Sequence, residues 1–207
     1  MTLYVPTAFR IDDRRALVEF IERHAFGTLV SSGPSGLHVS HIPFLVEQDP
    51  EGAVRLLGHV ARSNEHWRAL EDAEHVLAIF QGPHAYVSPT WYEAGPAVPT
   101  WNYAVVHAHG KAHPLDEAGL RGVVARLSAK YESGRPSPWR MEALEEDYVA
   151  KMVKAIAGFA IEVERLEGKF KLSQNRPAND ARRVADALEA EGETEVAALM
   201  RAQPARR

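Results

Sequence analysis

The chain has 207 residues, of which 45% are hydrophobic and 25% are charged, and its formal net charge at pH 7 is −4. This composition excludes a disordered chain, a collagen-like chain and a coiled coil, and the negative charge does not favour non-specific binding to nucleic acid. Cysteine is absent, which excludes disulfides, thiolate metal sites and a cysteine nucleophile. We find neither a signal peptide nor an apolar run approaching the roughly 20 residues that span a bilayer, so we expect a soluble cytoplasmic protein without a membrane partner.

The first half of the sequence is predicted to be rich in β-strands. A helix is expected to open at Asp12 or Asp13, and strand candidates follow at 26–32, 37–46, 53–60, 76–81, 85–88 and 98–111. Turn residues separate them, as at 33–36, and Pro43 inside the second candidate indicates an edge or a bulge. Strands joined by tight turns favour a small closed or half-closed barrel over an open α/β sheet.

The second half is predicted to be mainly helical. Apolar residues at helical spacing predict helices over 116–131 and 144–156, and two more over 180–191 and 193–202. The alternating segment 158–166 reads as a strand that rejoins the sheet. The tail at 203–207 is expected to lack regular structure.

The strongest local signal for a site is the segment HVARSN at 59–64. A strand is predicted to end at Val60, Arg62 follows, and Ser63 or Asn64 is placed to cap the next helix. Free N–H groups at a helix start, together with a guanidinium, suit a phosphate dianion. The alternative is that Arg62 pairs with a carboxylate and that the cap is only structural.

Other chemical signatures are weak or absent. His107 and His109 share one face of a predicted strand, but Lys111 lies on that face and no carboxylate belongs to the strand, so we expect no metal site. The sequence lacks G-x-S-x-G, H-E-x-x-H, G-x-x-x-x-G-K-[ST] and G-x-G-x-x-G, and it therefore predicts no catalytic residue.

Two further segments are open to two interpretations. Trp101, in VPTWNY, is either a core residue or a planar wall for an aromatic ligand. The segment KFKLSQNRP at 169–177 offers hydroxyl, amide and cationic donors to a heterocycle or a phosphate, or it is a solvated loop.

Taken together, these segments resemble a known family. The motifs that carry the resemblance are MTLYVPTAFR, FGTLVSS, GLHVSHIPFLV, GHVARSNEHW, AIFQGPHAYVSPTWY, VPTWNYAVVHAHG and KFKLSQNRPAND. They are similar to the corresponding motifs of the PaiB family of FMN-binding negative transcriptional regulators, and they extend over nearly the whole chain, from residue 1 to about residue 180.

The resemblance implies the fold class and the assembly. It implies an α+β, mainly β fold, a split β-barrel of the pyridoxamine-phosphate-oxidase-like type with flanking and C-terminal helices. It implies an FMN-binding domain over 1–180 with a helical insertion at 114–156, followed by a helical extension over 181–207. It also implies a homodimer that binds FMN at the subunit interface.

The resemblance also implies which residues bind the cofactor. Arg62 becomes the favoured ligand of the FMN phosphate, the strand around residue 41 lies beside the flavin ring, and some contacts come from the partner subunit. The implied cofactor-binding residues are Ser40, His41, Ile42, His59, Ala61, Arg62, Ser63, Asn64, Trp101, Asn102, Lys171, Ser173, Gln174 and Asn175.

Three functions remain open at this point. The family implies a negative transcriptional regulator, the flavin site is equally compatible with an FMN-dependent oxidoreductase, and a flavin-binding protein that acts through partners is a third possibility. A long proline-containing loop separates the predicted helices 116–131 and 144–156, so no helix-turn-helix is predicted, and the acidic charge also disfavours direct DNA binding.

Overall fold

The computed structural model describes residues 3–34 and 36–203. The strands in this part of the chain are β1 (Arg10–Ile11), β2 (Phe26–Gly33), β3 (Gly36–Pro43), β4 (Leu45–Gln48), β5 (Val54–Ala61), β6 (Val76–Val87), β7 (Thr100–Pro114) and β8 (Ile156–Lys171). The helices are α1 (Arg14–Arg23), α2 (His66–Asp72), α3 (Glu117–Glu132), α4 (Glu146–Lys154), α5 (Ala178–Ala190) and α6 (Thr194–Arg201). Short 3-10 helices lie at Thr7–Phe9, Pro89–Trp91 and Met141–Ala143. No helix in the described ranges has the length and apolar character needed to cross a membrane.

Four predicted boundaries were wrong. The strand predicted over 37–46 is interrupted at Phe44, whose N–H donates to the carbonyl of Ala25. The two strands predicted at 76–81 and 85–88 are one strand, β6, because the φ of a proline is compatible with extended backbone. Helix α2 begins only at His66, after a turn closed by the bond from Asn64 N to Ala61 O. The helix predicted over 144–156 ends at Lys154, and Ile156 already pairs in β8.

Two predictions concern residues that the structure does not describe. The turn predicted at 33–36 includes residue 35, and most of the tail predicted to be irregular lies at 204–207. Residue 35 and residues 204–207 are outside the described residues, so these two predictions are not tested there.

The strands are joined in the order β3-β2-β6-β7-β8-β5-β4, and β1 also pairs with β8. The pairs β2–β3 and β5–β8 are antiparallel: Thr28 on β2 lies opposite His41 on β3, and His59 on β5 lies opposite Gly158 on β8. Because side chains alternate along a strand, this register fixes which residues of β3 and β5 share a face.

The chain divides into two compact units. The first unit comprises Met1–Phe20, Gln81–Val106 and Glu167–Arg207, and the second comprises Ile21–Phe80 and His107–Leu166. Each unit is assembled from segments that are distant in the sequence. The domain boundary proposed at residue 180 stays a prediction.

The second unit has an aromatic and aliphatic core. Phe44 is fully buried, and its ring centroid lies 5.3 Å from that of Phe80 and 6.3 Å from that of Phe159. A separate buried cluster joins α3 to the sheet through Leu45, Leu57, Val123, Leu127 and Ala160. Helix α3 is capped by Asp116, whose Oδ1 accepts from Gly119 N at 2.7 Å. This packing fixes the strands that carry the candidate site.

One glycine in the second unit permits an unusually close approach between strands. A Cβ atom at Gly110 on β7 would overlap the backbone carbonyl of Glu162 on β8. No side chain can be accommodated there without moving one of the strands.

The first unit is closed by the C-terminal helices. The rings of Phe20 and Phe170 are 4.9 Å apart between centroids, and α5 and α6 pack together through residues that include the buried Leu188 and Val196. The two helices are separated at Gly192, which has φ +90°. The glycine therefore permits the sharp reversal between α5 and α6.

Candidate functional site

A buried polar network holds the end of β3 against the segment that follows β5. The ring of His66 accepts or donates at both nitrogens: Nε2 is 3.0 Å from Ser31 Oγ and Nδ1 is 2.8 Å from Ser40 Oγ. Asn64 Nδ2 donates to the same Ser40 Oγ at 3.0 Å, and His66 N donates to Asn64 Oδ1 at 3.1 Å. Two of the predicted site residues, Ser40 and Asn64, are thus brought together by a histidine that was not predicted.

The charge state of His66 follows from its surroundings. The residue is 1% exposed, and burial, together with the nearby His38, lowers its pKa to about 4. At neutral pH the ring is therefore uncharged, and it can donate at one nitrogen and accept at the other. The network is consequently a structural device that fixes residues 62–66.

Arg62 is the cation of this segment. Its Nε donates to the carbonyl of Lys154 at 3.1 Å, and its guanidinium lies 5.3 Å from the ring centroid of Trp67. Its terminal nitrogens have no hydrogen-bond partner, and no carboxylate pairs with it, among the residues that the structure describes. The alternative in which Arg62 is neutralised by a carboxylate is therefore not what the structure shows.

The backbone beside Arg62 adds further donors. Ser63 and Glu65 are exposed, and their N–H groups have no hydrogen-bond partner within 3–34 and 36–203. Arg62 also lines a cleft of about 210 Å³, and Glu71 is another residue of its lining. Glu71 disfavours an anion in that cleft, whereas the exposed segment 62–65 offers the guanidinium and two N–H groups, and its own carboxylate, on Glu65, is paired with Arg68 at 3.6 Å.

The strand β3 presents its predicted residues on two different faces. Ser40 and Ile42 are buried at 7% and 8% exposure, whereas His41 is exposed and its Nδ1 lies 3.0 Å from Thr28 Oγ1. The three residues therefore cannot all direct their side chains at one ligand, and their backbone groups are what they have in common.

His59 retains hydrogen-bonding capacity. Its Nδ1 is buried without a hydrogen-bond partner in the described part of the chain, and burial lowers the pKa of the ring. Ala61, two residues further along β5, is exposed and ends the strand next to Arg62. An unpartnered polar atom on the strand that leads to Arg62 is one of the features expected of an empty ligand site.

The second group of predicted residues lies in the first unit. Asn102 is 1% exposed, and its Nδ2 donates to Ser173 Oγ at 3.0 Å and to Met200 Sδ at 3.3 Å. Ser173 is buried and has φ +66°. This hydrogen bond links β7 to the segment after β8. Because both side chains bond to each other inside the protein, they are not available to a ligand.

Of the other predicted residues in that segment, two make hydrogen bonds within the protein and one has a side chain that is free to contact a ligand. Lys171 Nζ donates to Thr100 Oγ1 and to the carbonyl of Trp101, both at 2.5 Å, and burial, with Lys169 and Arg176 nearby, lowers its pKa. The Gln174 side chain binds Leu172 N and Phe170 O within its own turn. Asn175 is exposed and makes no hydrogen bond to the described residues, so its side chain is available.

Trp101 is a surface residue. It is 53% exposed, and its ring centroid lies 6.0 Å from that of Tyr86 and 6.3 Å from that of His84. The interpretation of this tryptophan as a core residue was wrong. The three rings form an exposed aromatic group in the first unit, which leaves the planar-wall interpretation.

The two histidines that were predicted to share a face of β7 lie close together. The rings of His107 and His109 have centroids 6.2 Å apart, and Lys111 Nζ lies 4.0 Å from Glu164 Oε1. The absence of a metal site stays a prediction.

Sequence reasoning missed the two residues that organise the network, Ser31 and His66. Both lie inside motifs that were recognised, FGTLVSS and GHVARSNEHW. His66 is two residues beyond Asn64, and a histidine beside a cap is usually exposed, so only its burial identifies its role.

Comparison with solved structures defines the class of protein. The flavocytochrome Anf3 from Azotobacter vinelandii matches with a TM-score of 0.61 and 15% identity, covering 78% of this chain and 69% of that one. The FAD and heme binding protein from Mycobacterium smegmatis matches with a TM-score of 0.60 and 17% identity, covering 78% and 73%. The predicted fold class is confirmed: an α+β protein with an antiparallel sheet of the split β-barrel type and C-terminal helices.

Comparison of sequences identifies the family. The family described as "Putative FMN-binding domain" matches residues 3–165. The protease synthase and sporulation protein PAI 2 of Bacillus subtilis (strain 168) is 35% identical over 189 residues, which are 91% of this chain and 90% of that protein. The chain therefore belongs to this family, and the resemblance to PaiB proteins is confirmed.

Proposed function

We propose that the chain binds FMN in a homodimer and acts as a negative transcriptional regulator of the PaiB type. The observation that carries the proposal is the segment 62–65, which the Ser40–Asn64–His66 network holds in place. It presents an unpaired guanidinium and two unpartnered N–H groups on one exposed stretch of chain. These are the donors that a phosphate monoester requires.

The residues present fit the phosphate of FMN. We assign it to Arg62, Ser63 and the backbone of Glu65, and we place it away from the cleft that Glu71 lines, because a carboxylate would repel a dianion. Asn64 acts indirectly, since its side chain is used to bind Ser40 and His66 N. Ala61 has no polar side chain and contributes only backbone.

The flavin ring is assigned to the backbone of residues 40–42 and to His59. The neutral imidazole of His59 has an unsatisfied nitrogen, which a carbonyl or ring nitrogen of the isoalloxazine would satisfy. Bound FMN supplies reversible one- or two-electron chemistry. We propose that it serves here as a ligand that signals to a regulator, and the FMN-dependent oxidoreductase remains the alternative function.

An exposed apolar face supports the homodimer. Phe26 on β2 and Leu37 and Val39 on β3 are 67%, 70% and 52% exposed, and β3 is an end strand of the sheet order. Exposed apolar groups on an end strand favour pairing with a second copy. We propose that the partner subunit contributes Trp101, Asn175 and the neighbouring segments, as the family resemblance implies.

The roles of the remaining predicted residues are structural in this proposal. Asn102 and Ser173 form a hydrogen bond with each other, and the Gln174 side chain bonds to the backbone of its own turn. Lys171 donates to Thr100 Oγ1 and to the Trp101 carbonyl. They shape the segment that carries Asn175. Their contribution to FMN affinity is then indirect.

Five cations could form a basic patch for DNA, Arg121, Arg126, Lys130, Arg182 and Arg183, but three of them are paired with carboxylates. In the second unit, Arg121 makes a two-bond ion pair with Glu146, and Arg126 pairs with Glu47. In the first unit, Arg183 pairs with Glu93 at 2.7 Å. We therefore propose that regulation proceeds through a partner or through the liganded state of the protein. A salt-dependent gel shift with promoter fragments at physiological salt would contradict this part of the proposal.

The test of FMN binding is a spectrum of the full-length chain. Protein equilibrated with FMN and freed of excess ligand is expected to show bands at about 370 and about 450 nm, one flavin per subunit, with a shifted or quenched fluorescence. Riboflavin should bind more weakly because it lacks the phosphate. If FMN washes off as readily as riboflavin, the phosphate site is wrong, and if neither binds, the FMN proposal fails.

A further inference from the structure

A cavity of about 220 Å³ lies beside the C-terminal helices, in the first unit. The described residues that line it fall between 172 and 203, beyond the residues 3–165 that the family model matches. Two of its lining residues, Ser173 and Gln174, are among those that the family resemblance assigned to FMN, but the structure engages both side chains within the protein, and the proposed flavin phosphate site does not account for the cavity. We call it the arginine cavity, after Arg176, Arg182 and Arg201, which line it.

The charge of the arginine cavity is strongly positive. Among the described residues, its lining contains three guanidinium groups and no carboxylate. The charge of Arg201 is balanced by ion pairs to Asp186 at 3.0 Å and Glu189 at 2.6 Å. Arg176 and Arg182 pair with no carboxylate in the described part of the chain, so two positive charges are left uncompensated.

The two uncompensated arginines are nevertheless oriented. The Arg176 guanidinium lies 4.4 Å from the ring centroid of Tyr92, and Arg182 Nη2 donates to Asn179 Oδ1 at 2.6 Å. Each contact limits the conformations of a long side chain and leaves other N–H donors available. Less conformational entropy is therefore lost when an anion binds.

The inner wall of the arginine cavity is apolar. Leu172, Ala185 and Met200 line it and are 1%, 2% and 8% exposed. The buried hydroxyl of Ser173 is the polar group among them, and it is already bonded to Asn102. A hydrated inorganic ion would leave this apolar wall unused, whereas a compact hydrocarbon group would cover it.

We propose that the arginine cavity binds a small organic carboxylate, with its anionic group between Arg176 and Arg182 and a compact aromatic or branched aliphatic body against Leu172, Ala185 and Met200. The arginine cavity shares no residue with the phosphate site proposed at Arg62, and its occupancy does not require FMN. A metabolite of this class would act as a second ligand of the protein.

The experiment is a titration of the full-length, isotope-labelled chain with benzoate, followed by amide chemical shifts. Saturable shifts are expected at residues 172–176, 181–185 and 200–203, with a dissociation constant below roughly 10 mM. Benzyl alcohol tests the apolar body alone, and inorganic phosphate tests the anionic group alone. Both should bind at least about 10-fold more weakly than benzoate, since each lacks one of the two interactions.

Neighbouring arginines provide a matched pair of variants. Arg182→Gln should weaken benzoate by about 10-fold or more, the loss of one charge-assisted bond. Arg183→Gln removes the adjacent arginine, which pairs with Glu93 and does not line the cavity, and it should change affinity by less than about twofold. Arg176→Gln tests the second cation, and unchanged amide dispersion shows that each variant is folded.

Several results would overturn the proposal. These are the absence of saturable shifts with benzoate, an equal loss in the Arg182 and Arg183 variants, or phosphate binding as tightly as benzoate. If FMN shifts the same amides and displaces benzoate, the cavity belongs to the flavin site. Because FMN binding is measured independently, failure of benzoate to bind does not affect the proposed function.

Discussion

Asn64 donates a hydrogen bond from Nδ2 to Ser40 Oγ at 3.0 Å, joining two sequence motifs that lie 24 residues apart. His66 completes the contact from the other side. The strand that is assigned to the flavin ring and the segment that is assigned to the phosphate are thereby fixed to each other. A ligand that bridges them meets a site whose parts are already in place.

Arg62→Ala is expected to weaken FMN by roughly 30- to 150-fold, because a charge-assisted bidentate contact contributes about 2–3 kcal/mol. Riboflavin affinity should change little. The measurement is a fluorescence titration of both ligands. Arg55→Ala is the control, since Arg55 is an exposed arginine of β5 that is paired with Glu47 at 3.5 Å and takes no part in the proposed phosphate site. An equal loss for both flavins would show that Arg62 acts on the fold or the ring.

The chain is expected to be a two-fold homodimer that buries at least roughly 2,000 Å² in total. Light scattering at micromolar concentration should give twice the mass of 22.9 kDa. Leu37→Lys, on the exposed apolar face, should shift the protein towards monomer, because a charge would be buried against the partner. Tyr131→Lys, at a side chain that is 49% exposed on α3, should not. A monomeric wild-type protein would contradict the interface.

His66 should make the protein less stable, in free energy of unfolding, as the pH is lowered. In the unfolded chain this histidine takes up a proton near pH 6.5, whereas in the folded protein its pKa is about 4. The unfolded state therefore binds more protons as the pH falls from about 6.5 to about 4, and the free energy of unfolding decreases by roughly 3 kcal/mol at most.

Denaturant titrations across this pH range measure the effect. His66→Gln keeps hydrogen-bonding groups without a titratable one, and its stability should depend less on pH than that of the wild type. His41→Gln is the control, because His41 is exposed. If both variants keep the wild-type pH dependence, another group is responsible.

Asn102 and Asn175, both in the first unit, should separate stability from ligand binding. Asn102→Ala removes a buried amide and leaves Ser173 without its partner, so it should lower the free energy of unfolding by about 1–3 kcal/mol. Asn175→Ala is at an exposed side chain and should change stability by less than about 0.5 kcal/mol while weakening FMN. Thermal or chemical unfolding and a flavin titration measure both. The opposite pattern would make Asn102 the ligand contact.

FMN bound to this protein should react slowly, if at all, with NADH or NADPH. The only titratable side chain on residues 40–42 is His41, which is bound to Thr28. An anaerobic mixture followed at about 450 nm measures flavin reduction. Bleaching within seconds, as typical enzyme turnover demands, would favour the oxidoreductase alternative over the ligand role.

The sequence predicted the elements well where local signals are strong. Asp13 caps α1 through Arg15 N, as the acidic start indicated, and the alternation of apolar residues located β5 and β7. It failed where backbone pairing overrides local signals. Gly82 and Pro83 suggested a break, yet both lie inside β6. Such positions depend on partners distant in the sequence.

The candidate site was predicted as a set of positions, and burial then distinguished their roles. Arg62, Ser63 and Asn175 are exposed, whereas Ser40, Asn102 and Ser173 are buried with partners. A motif match cannot separate these groups, because a residue that shapes a site and one that touches the ligand occur in the same short motif. His66 was missed for the same reason.

The hydrogen bonds from Asn102 to Ser173 and Met200 also limit when the first unit can fold during synthesis. During synthesis, at about 5–20 residues per second, roughly 5–20 s pass between the addition of Asn102 and that of Met200. The ribosome therefore delivers the middle of β7 long before its partners exist. Until they emerge, the Asn102 amide must remain hydrated, and this contact can form only after Met200 has left the ribosome.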